Sequence, residues 1–267
     1  MAGFIVEAPL QIDGIDVFVE GEGEQTVVMV HGWPDTYRLW DAQVDALKAH
    51  HRCGRFTLPG FDVGQPHRAV SLARMTALLE AVVDAVSPAR PVVLLLHDWG
   101  CFFGYEYAMR HPARVAKIIG VDIGDARSGR YACSLSMKAK AMVVAYQVWL
   151  AAAWRIGGSL GDSMTRVMAR AAHAPAEPPT VHAGMNYPYD IRWTGSHGSY
   201  KEALPFDPAC PMLFIYGTRK PFLFHSPSWA EALAARDGCR VLAFETGHWV
   251  MAQKPQAFNE AVRGWLG

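Results

Sequence analysis

Residues 91–100, PVVLLLHDWG, place a carboxylate where a strand breaks into a helix. The apolar run has the continuity of a strand covered on both faces. A sharp strand-to-helix turn of the form small-x-nucleophile-x-small forces its central side chain onto the carboxyl edge of a sheet. Here the central residue is Asp98; Gly100 fills the second small site and Leu96 departs from the first. The helix N-terminus that follows favours an anion at that point. A carboxylate needs no base to become a nucleophile. It can attack a carbon, form an ester, and leave water to cleave that ester. Asp is also a common helix N-cap, so the residue by itself carries two readings. His97 precedes it on the strand and points to the opposite face, which suits a structural role.

An earlier strand end is complementary. VVMV (27–30) runs into His31-Gly32-Trp33-Pro34-Asp35. Pro34 has no N–H, so the amide of Trp33 is the donor this turn can aim at the tip of Asp98. The amide of Trp99 is a second donor. Together they would form an oxyanion hole for a tetrahedral intermediate; the plainer reading is a strand-to-loop turn.

The elements that must position these groups alternate between short β-branched runs and longer helical ones, the pattern of an α/β fold. IDVFVE (15–20) alternates as an antiparallel strand does. Strands are expected at 27–30, in the first part of 55–66, over 91–100 up to the turn, and at 115–124, 210–217 and 240–245, with helices at 36–50, 71–86, 101–110 and 255–266. Residues 126–205 differ: they are helical, rich in Ala, Met, Trp and Tyr, and interrupted by APAEPPT. The expected organisation is a core of residues 1–125 and 206–267 with a helical cap, 126–205, inserted into it.

Composition narrows the function. The chain has 267 residues, 51% of them hydrophobic, with 25 Lys plus Arg against 25 Asp plus Glu. Zero net charge argues against nucleic-acid binding. Five scattered cysteines without a CxxC pair argue against a disulfide scaffold or a zinc ribbon and for a reducing, cytoplasmic compartment. The N-terminus lacks the pattern of a secretory signal. The charge-free run between Lys140 and Arg155 is shorter than the roughly 20 residues of a membrane helix, so no membrane partner is expected. No metal or cofactor is expected either.

HGWPD, LPGFD, HDWG, HPARV and TGHW occur in this order over nearly the whole chain. In this the sequence resembles the α/β-hydrolases, and within them the branch of epoxide hydrolases and haloalkane dehalogenases. The resemblance implies an α/β-hydrolase fold: a mainly parallel eight-stranded sheet with an inserted helical cap. Esterases of this fold carry Ser at the turn where this chain has Asp98. The resemblance makes His248, in ETGHW, the general base that activates water. The third member is less direct. Many relatives carry Asp after the strand matching MLFIYG, where this chain has Gly217-Thr218-Arg219-Lys220-Pro221. Some dehalogenases place the acid one strand after the nucleophile, which points to Asp122, with Asp125 as runner-up and Asp207 and Glu245 behind.

Epoxide hydrolases of this fold protonate the epoxide oxygen from two cap tyrosines. The resemblance implies Tyr146 as the first and Tyr187 as the second, with Tyr189 close behind and Tyr131 and Tyr200 as further candidates. Helical spacing puts Met142, Tyr146, Trp149 and Leu150 on one face. Trp149, Tyr189 and Trp249 are expected to contact substrate. The implied activity is opening of a small to medium, largely apolar epoxide to a diol by a monomer or homodimer. A haloalkane dehalogenase is the alternative; Trp33 stands where that family often has a halide-binding Asn. A non-catalytic binding protein is the second alternative, consistent with Lys220 standing where an acid is common.

Overall fold

A computed structural model describes residues 8–267. Eight strands form one sheet: β1 (Leu10–Ile12), β2 (Ile15–Glu20), β3 (Thr26–Val30), β4 (Arg52–Phe56), β5 (Val92–His97), β6 (Val115–Val121), β7 (Met212–Gly217) and β8 (Arg240–Phe244). Their spatial order is β1-β2-β4-β3-β5-β6-β7-β8. The β1–β2 and β2–β4 pairings are antiparallel and all others parallel. This is the α/β-hydrolase architecture that the resemblance implies.

The parallel strands are buried on both faces because helices cover both. Val28, Val30, Leu94, Leu96 and Phe214 pack on one side with Met75, Leu79 and Val83 of α2 (Leu72–Val86) and Phe103 of α3 (Trp99–Arg110). Their neighbours Val27, Met29, Val93, Leu95 and Leu213 face the other side. There they meet Val44 and Leu47 of α1 (Asp41–Leu47), Val250 and Met251 of α9 (Val250–Gln253), and Phe258 and Val262 of α10 (Pro255–Leu266). Full burial of each such side chain is worth about 1.5–3 kcal/mol. The helix expected over 36–50 is split: a 3-10 turn at Tyr37–Trp40 precedes α1. The short strand expected in the first part of 55–66 lies earlier, at Arg52–Phe56.

Between β6 and β7 the chain leaves the sheet for α4 (Gly129–Ser134), α5 (Met137–Ile156), α6 (Gly158–Ala171) and α7 (Tyr187–Thr194). Ser128 caps α4 and Ser136 caps α5 through their side-chain oxygens. Arg155 donates to both oxygens of the buried Asp190, at 2.6 and 3.2 Å, and so fastens α5 to α7. This helical layer reaches the carboxyl ends of three parallel strands. Asn186 and Tyr189 meet Trp33 after β3, His182 meets Phe61 after β4, and Tyr189 meets Trp99 after β5. The sheet resumes through α8 (Pro227–Ala234), which lies between β7 and β8.

Candidate active site

Asp98 closes β5 with φ 52° and ψ −121°. A non-glycine residue in the left-handed half of backbone space costs about 1–3 kcal/mol, and such strain gathers where a side chain must be aimed. Two glycines permit the turn. A Cβ on Gly100 would stand 2.2 Å from the Val30 carbonyl, so α3 packs directly on the end of β3. A Cβ on Gly32 would stand 2.4 Å from both Asp98 Oδ1 and the Trp99 amide nitrogen. The bulky Leu96 is accommodated one layer down. Its branch fills the space that a side chain at Gly104 of α3 would take, a Cβ there coming within 2.5 Å of Leu96 Cδ2. The small residue absent from the strand is thus present on the helix.

The Trp33 amide donates to Asp98 Oδ1 at 2.7 Å. The Trp99 amide, first in α3, lies on the same side, against Gly32. Asp98 Oδ2 is left facing His248 Nε2 at 3.4 Å. His248 sits in the loop between β8 and α9, and its other nitrogen donates to Asp122 Oδ2. Asp122 follows β6 with φ 70°, a second carboxylate aimed from left-handed backbone. Its Oδ1 accepts from the Gly217 amide at 3.0 Å and from the Lys220 ammonium. Asp98, His248 and Asp122 are therefore one line along the carboxyl edge of β5, β6 and β8, joined by an ion-pair contact on one side of the imidazole and a hydrogen bond on the other.

Electrostatics follow from that line. Burial opposes a charge on His248, yet Asp122 and Asp98 outweigh it and lift its pKa from 6.5 to about 9. Burial pushes Asp122 up, but Lys220 and His248 more than reverse this and hold it well below the usual carboxylate range. Burial likewise raises Asp98, and the bond to His248 brings it below its ordinary value. At neutral pH the line is two carboxylates around an imidazolium.

His97 lies behind the line. Burial lowers its pKa to about 3, so the ring is neutral. Its Nε2 stands 3.2 Å from the His248 carbonyl, which can only accept, so Nε2 carries the proton. The ring centroids of His97 and His248 are 4.4 Å apart, so the strand residue braces the loop that bears His248.

Asp98 opens into a cavity of about 680 Å³ under the helical layer. Tyr146 of α5 and Tyr189 of α7 line it, their rings 6.1 Å apart. Tyr189 stands edge-on to Trp99 at 5.2 Å and to Trp33 at 6.1 Å. The side-chain amide of Gln147 donates to the Tyr146 hydroxyl at 3.1 Å, so that oxygen is an acceptor there and its proton is free to point elsewhere. Burial raises both phenols above their ordinary pKa and keeps them protonated.

Several expected contacts are placed elsewhere. Tyr187 does not line the cavity: it is fully buried against Phe61 and Trp154, because two helical residues on from it Tyr189 takes the inward direction. Trp149 is 40% exposed and donates to the Met164 carbonyl, on the outer side of α5. Trp249 points below the sheet edge, where its indole donates to Asp35 Oδ2 at 2.8 Å. Asp125 accepts from Ser226 and Ser128 and takes no part in the His248 line. Asp207 and Glu245 pair with Arg236 and Arg219 on the surface. Lys220, read from sequence as the vacancy of an acid, is the partner of the acid. The sequence carries a signal for this: residues 122 and 220 follow adjacent parallel strands.

A model of the alpha/beta hydrolase family matches residues 27–261. "Probable oxidoreductase EphD" of Mycobacterium bovis is 37% identical over 125 residues, 44% of this chain. "Epoxide hydrolase B" of Mycobacterium tuberculosis is 28% identical over 106 residues, 39% of this chain. The matches span only 21% and 30% of those two proteins. The crystal structure of Epoxide Hydrolase A from Mycobacterium thermoresistibile superposes with a TM-score of 0.68 at 21% identity, covering 97% of each chain. At that identity the likeness is one of fold.

Proposed function

The chain belongs to the alpha/beta hydrolase family, and from that premise we propose that it is an epoxide hydrolase, opening small to medium, largely apolar epoxides to vicinal diols. The observation that carries the reading is that Tyr146 and Tyr189, their rings 6.1 Å apart, line the same cavity as the carboxylate of Asp98, with the further candidates Tyr131 and Tyr200 also on its wall. A carboxylate nucleophile and a neutral O–H donor are the two groups that ring opening requires.

In this reading Oδ2 of Asp98 attacks a ring carbon. The carbon–oxygen bond breaks, its electron pair goes to oxygen, and Tyr146 or Tyr189 supplies the proton. The imidazolium of His248 is the net source of that proton. Esterification removes the charge of Asp98, so His248 loses one of the two carboxylates that raise its pKa. The imidazole, now neutral, takes a proton from water as hydroxide adds to the ester carbonyl carbon. The amides of Trp33 and Trp99 face the resulting oxyanion. Collapse releases the diol, restores the Asp98 carboxylate and leaves His248 protonated, as it began. Epoxide plus water gives diol, with no proton gained or lost.

The haloalkane alternative is disfavoured by the donors. The indole N–H of Trp33, at the position where a dehalogenase often has its second halide donor, Asn, donates instead to Asn186 at 2.8 Å, and Asn186 donates onward to Thr165; a halide would have the indole of Trp99, which lines the cavity, without this second donor. The test is a single turnover with His248→Gln protein and aryl or alkyl epoxides. The expected result is a mass increase of one substrate, located on the peptide containing Asp98. Wild-type protein in heavy-oxygen water, with enzyme in excess, should release largely unlabelled diol and carry the label in Asp98. Labelled diol without adduct would overturn the covalent step. Halide release from haloalkanes, with epoxides inert, would replace the reading by the dehalogenase one.

A further inference from the structure

Lys220 is a cation in the interior. It follows β7 in a loop whose other cation, Arg219, is exposed and pairs with Glu245 at 2.9 Å. Its own side chain is 7% exposed, its ammonium is bound to Asp122 Oδ1, and it lies 5.3 Å from the centre of the Phe224 ring. With the Gly217 amide on the same oxygen and His248 on Oδ2, every strong partner of Asp122 is a donor with a fixed position. The result is a buried line of alternating charge: Lys220, Asp122, His248, Asp98.

We propose that Lys220 is a positioning residue for the base, one that acts through Asp122: it fixes the carboxylate that orients His248, and its charge makes the imidazole give up its proton once Asp98 is esterified. The inference rests on the epoxide hydrolase reading for its place in the cycle, though not for its electrostatics. While Asp98 is ionised, two cations and two anions balance. When Asp98 becomes an ester, Lys220 and Asp122 balance each other, and a proton on His248 is an unpaired buried charge. Buried charge without a partner is strongly disfavoured, so the imidazole turns neutral when it must accept a proton from water. Without Lys220, that same proton would be the counter-charge of Asp122 and would be held.

The other groups around His248 do not duplicate this. Asp98 and His97 reach it from the β5–α3 turn, Asp122 from the end of β6, and Asp35 acts from the loop after β3. Phe224 and Trp249 present only rings. His97 is held neutral by burial, and so is His225, which faces Lys220 and has its pKa lowered to about 4. Among these groups Lys220 is the fixed cation.

The experiment uses Asp98→Asn protein, whose amide stands in for the uncharged ester, and follows the imidazole of His248 by NMR as pH is varied. Adding Lys220→Met should raise the titration midpoint by about one pH unit or more. Lys220→Gln keeps a hydrogen-bond donor without the charge, and should raise it as well; Lys220→Arg should leave it near the parent value. Lys220→Gln also serves where the methionine variant does not fold. A purely structural lysine would lower thermal stability in the variants and leave the midpoint in place, and that result overturns the proposal. With Asp98 intact, Lys220→Gln should slow ester hydrolysis by about tenfold for each pH unit by which the raised midpoint stands above the assay pH, and the rate should recover at higher pH. A raised midpoint in a protein that never forms an ester would uphold the role of Lys220 and sink the epoxide reading.

Discussion

The carboxyl edge of the sheet and the helical layer above it build one cavity by opposite means. At the edge, each functional group is ionic and its position follows from backbone: a strand ends, a residue takes left-handed φ, and a partner amide or side chain is waiting. Asp98 and Asp122 both fit this description. In the helical layer the groups are neutral phenols on helices whose apolar residues run around much of their circumference. Along α5, Met137, Met142, Val144, Val148 and Trp149 are exposed, while Leu150 and Ala153 are buried. On the proposed reading the comparison is a division of labour: the edge would set which bond is made and broken, and the helices what can lie beside it.

The sharpest way to break that division is at the edge. Asp98→Ala should abolish turnover, by about 10⁴-fold or more, with no adduct in the mass spectrum. Asp122→Asn leaves a carbonyl and an amide where the line needs two acceptors, and the loss should approach about 10⁴-fold in ester hydrolysis, with ester accumulating in rapid-quench samples. The pH dependence has a definite sign. The pKa of His248 is raised, so the stability it contributes is complete below 6.5 and is lost as pH rises through about 9. Asp98→Asn and His248→Gln should each flatten the unfolding curve in that window, as chemical denaturation at stepped pH would reveal.

The helical layer should yield smaller effects. Tyr146→Phe and Tyr189→Phe should each slow ester formation by about 10²-fold, and leave hydrolysis of a preformed ester unchanged in stopped-flow traces. Tyr187→Phe removes a buried hydroxyl that has no hydrogen-bond partner and does not line the cavity, and should leave kcat/KM within about twofold. A large loss in Tyr187→Phe with none in Tyr189→Phe would reverse the assignment of the second phenol.

The same division explains what was legible in the sequence. Strand ends carry punctuation: Gly32, Pro34 and Gly100 fix where Trp33 and Asp98 stand, while Asp122 comes from the resemblance to dehalogenases that place the acid one strand after the nucleophile. The helices carry none. YPYDIRW is buried at both tyrosines, so two residues pointing in different directions look alike on paper. On α5 the face assumed to hold Tyr146 and Trp149 together is divided, Tyr146 turned to the cavity and Trp149 to solvent. Trp249 follows an inward-facing His248 and turns away from it, which the motif TGHW does not show. Lys220 was missed because a sequence shows the loss of an expected acid more readily than the gain of a counter-ion to one on the next strand.

The line Asp98–His248–Asp122 is assembled in an uneven order. The acid is 24 residues beyond Asp98, whereas His248 comes 126 residues after the acid. At a synthesis rate of roughly 5–20 residues per second, that interval lasts on the order of 6–25 s. On the proposed reading, until the segment from β8 to α10 docks, the carboxylate that would take up substrate stands without the imidazole that would release it. On the same reading, a chain in which this segment undocked would be a single-use scavenger, with a carboxylate able to be alkylated and no imidazole to clear the adduct. Electrophile exposure would then mark such molecules permanently, and the fraction of Asp98 found alkylated in a population of cells would report how many copies lack a docked C-terminal segment.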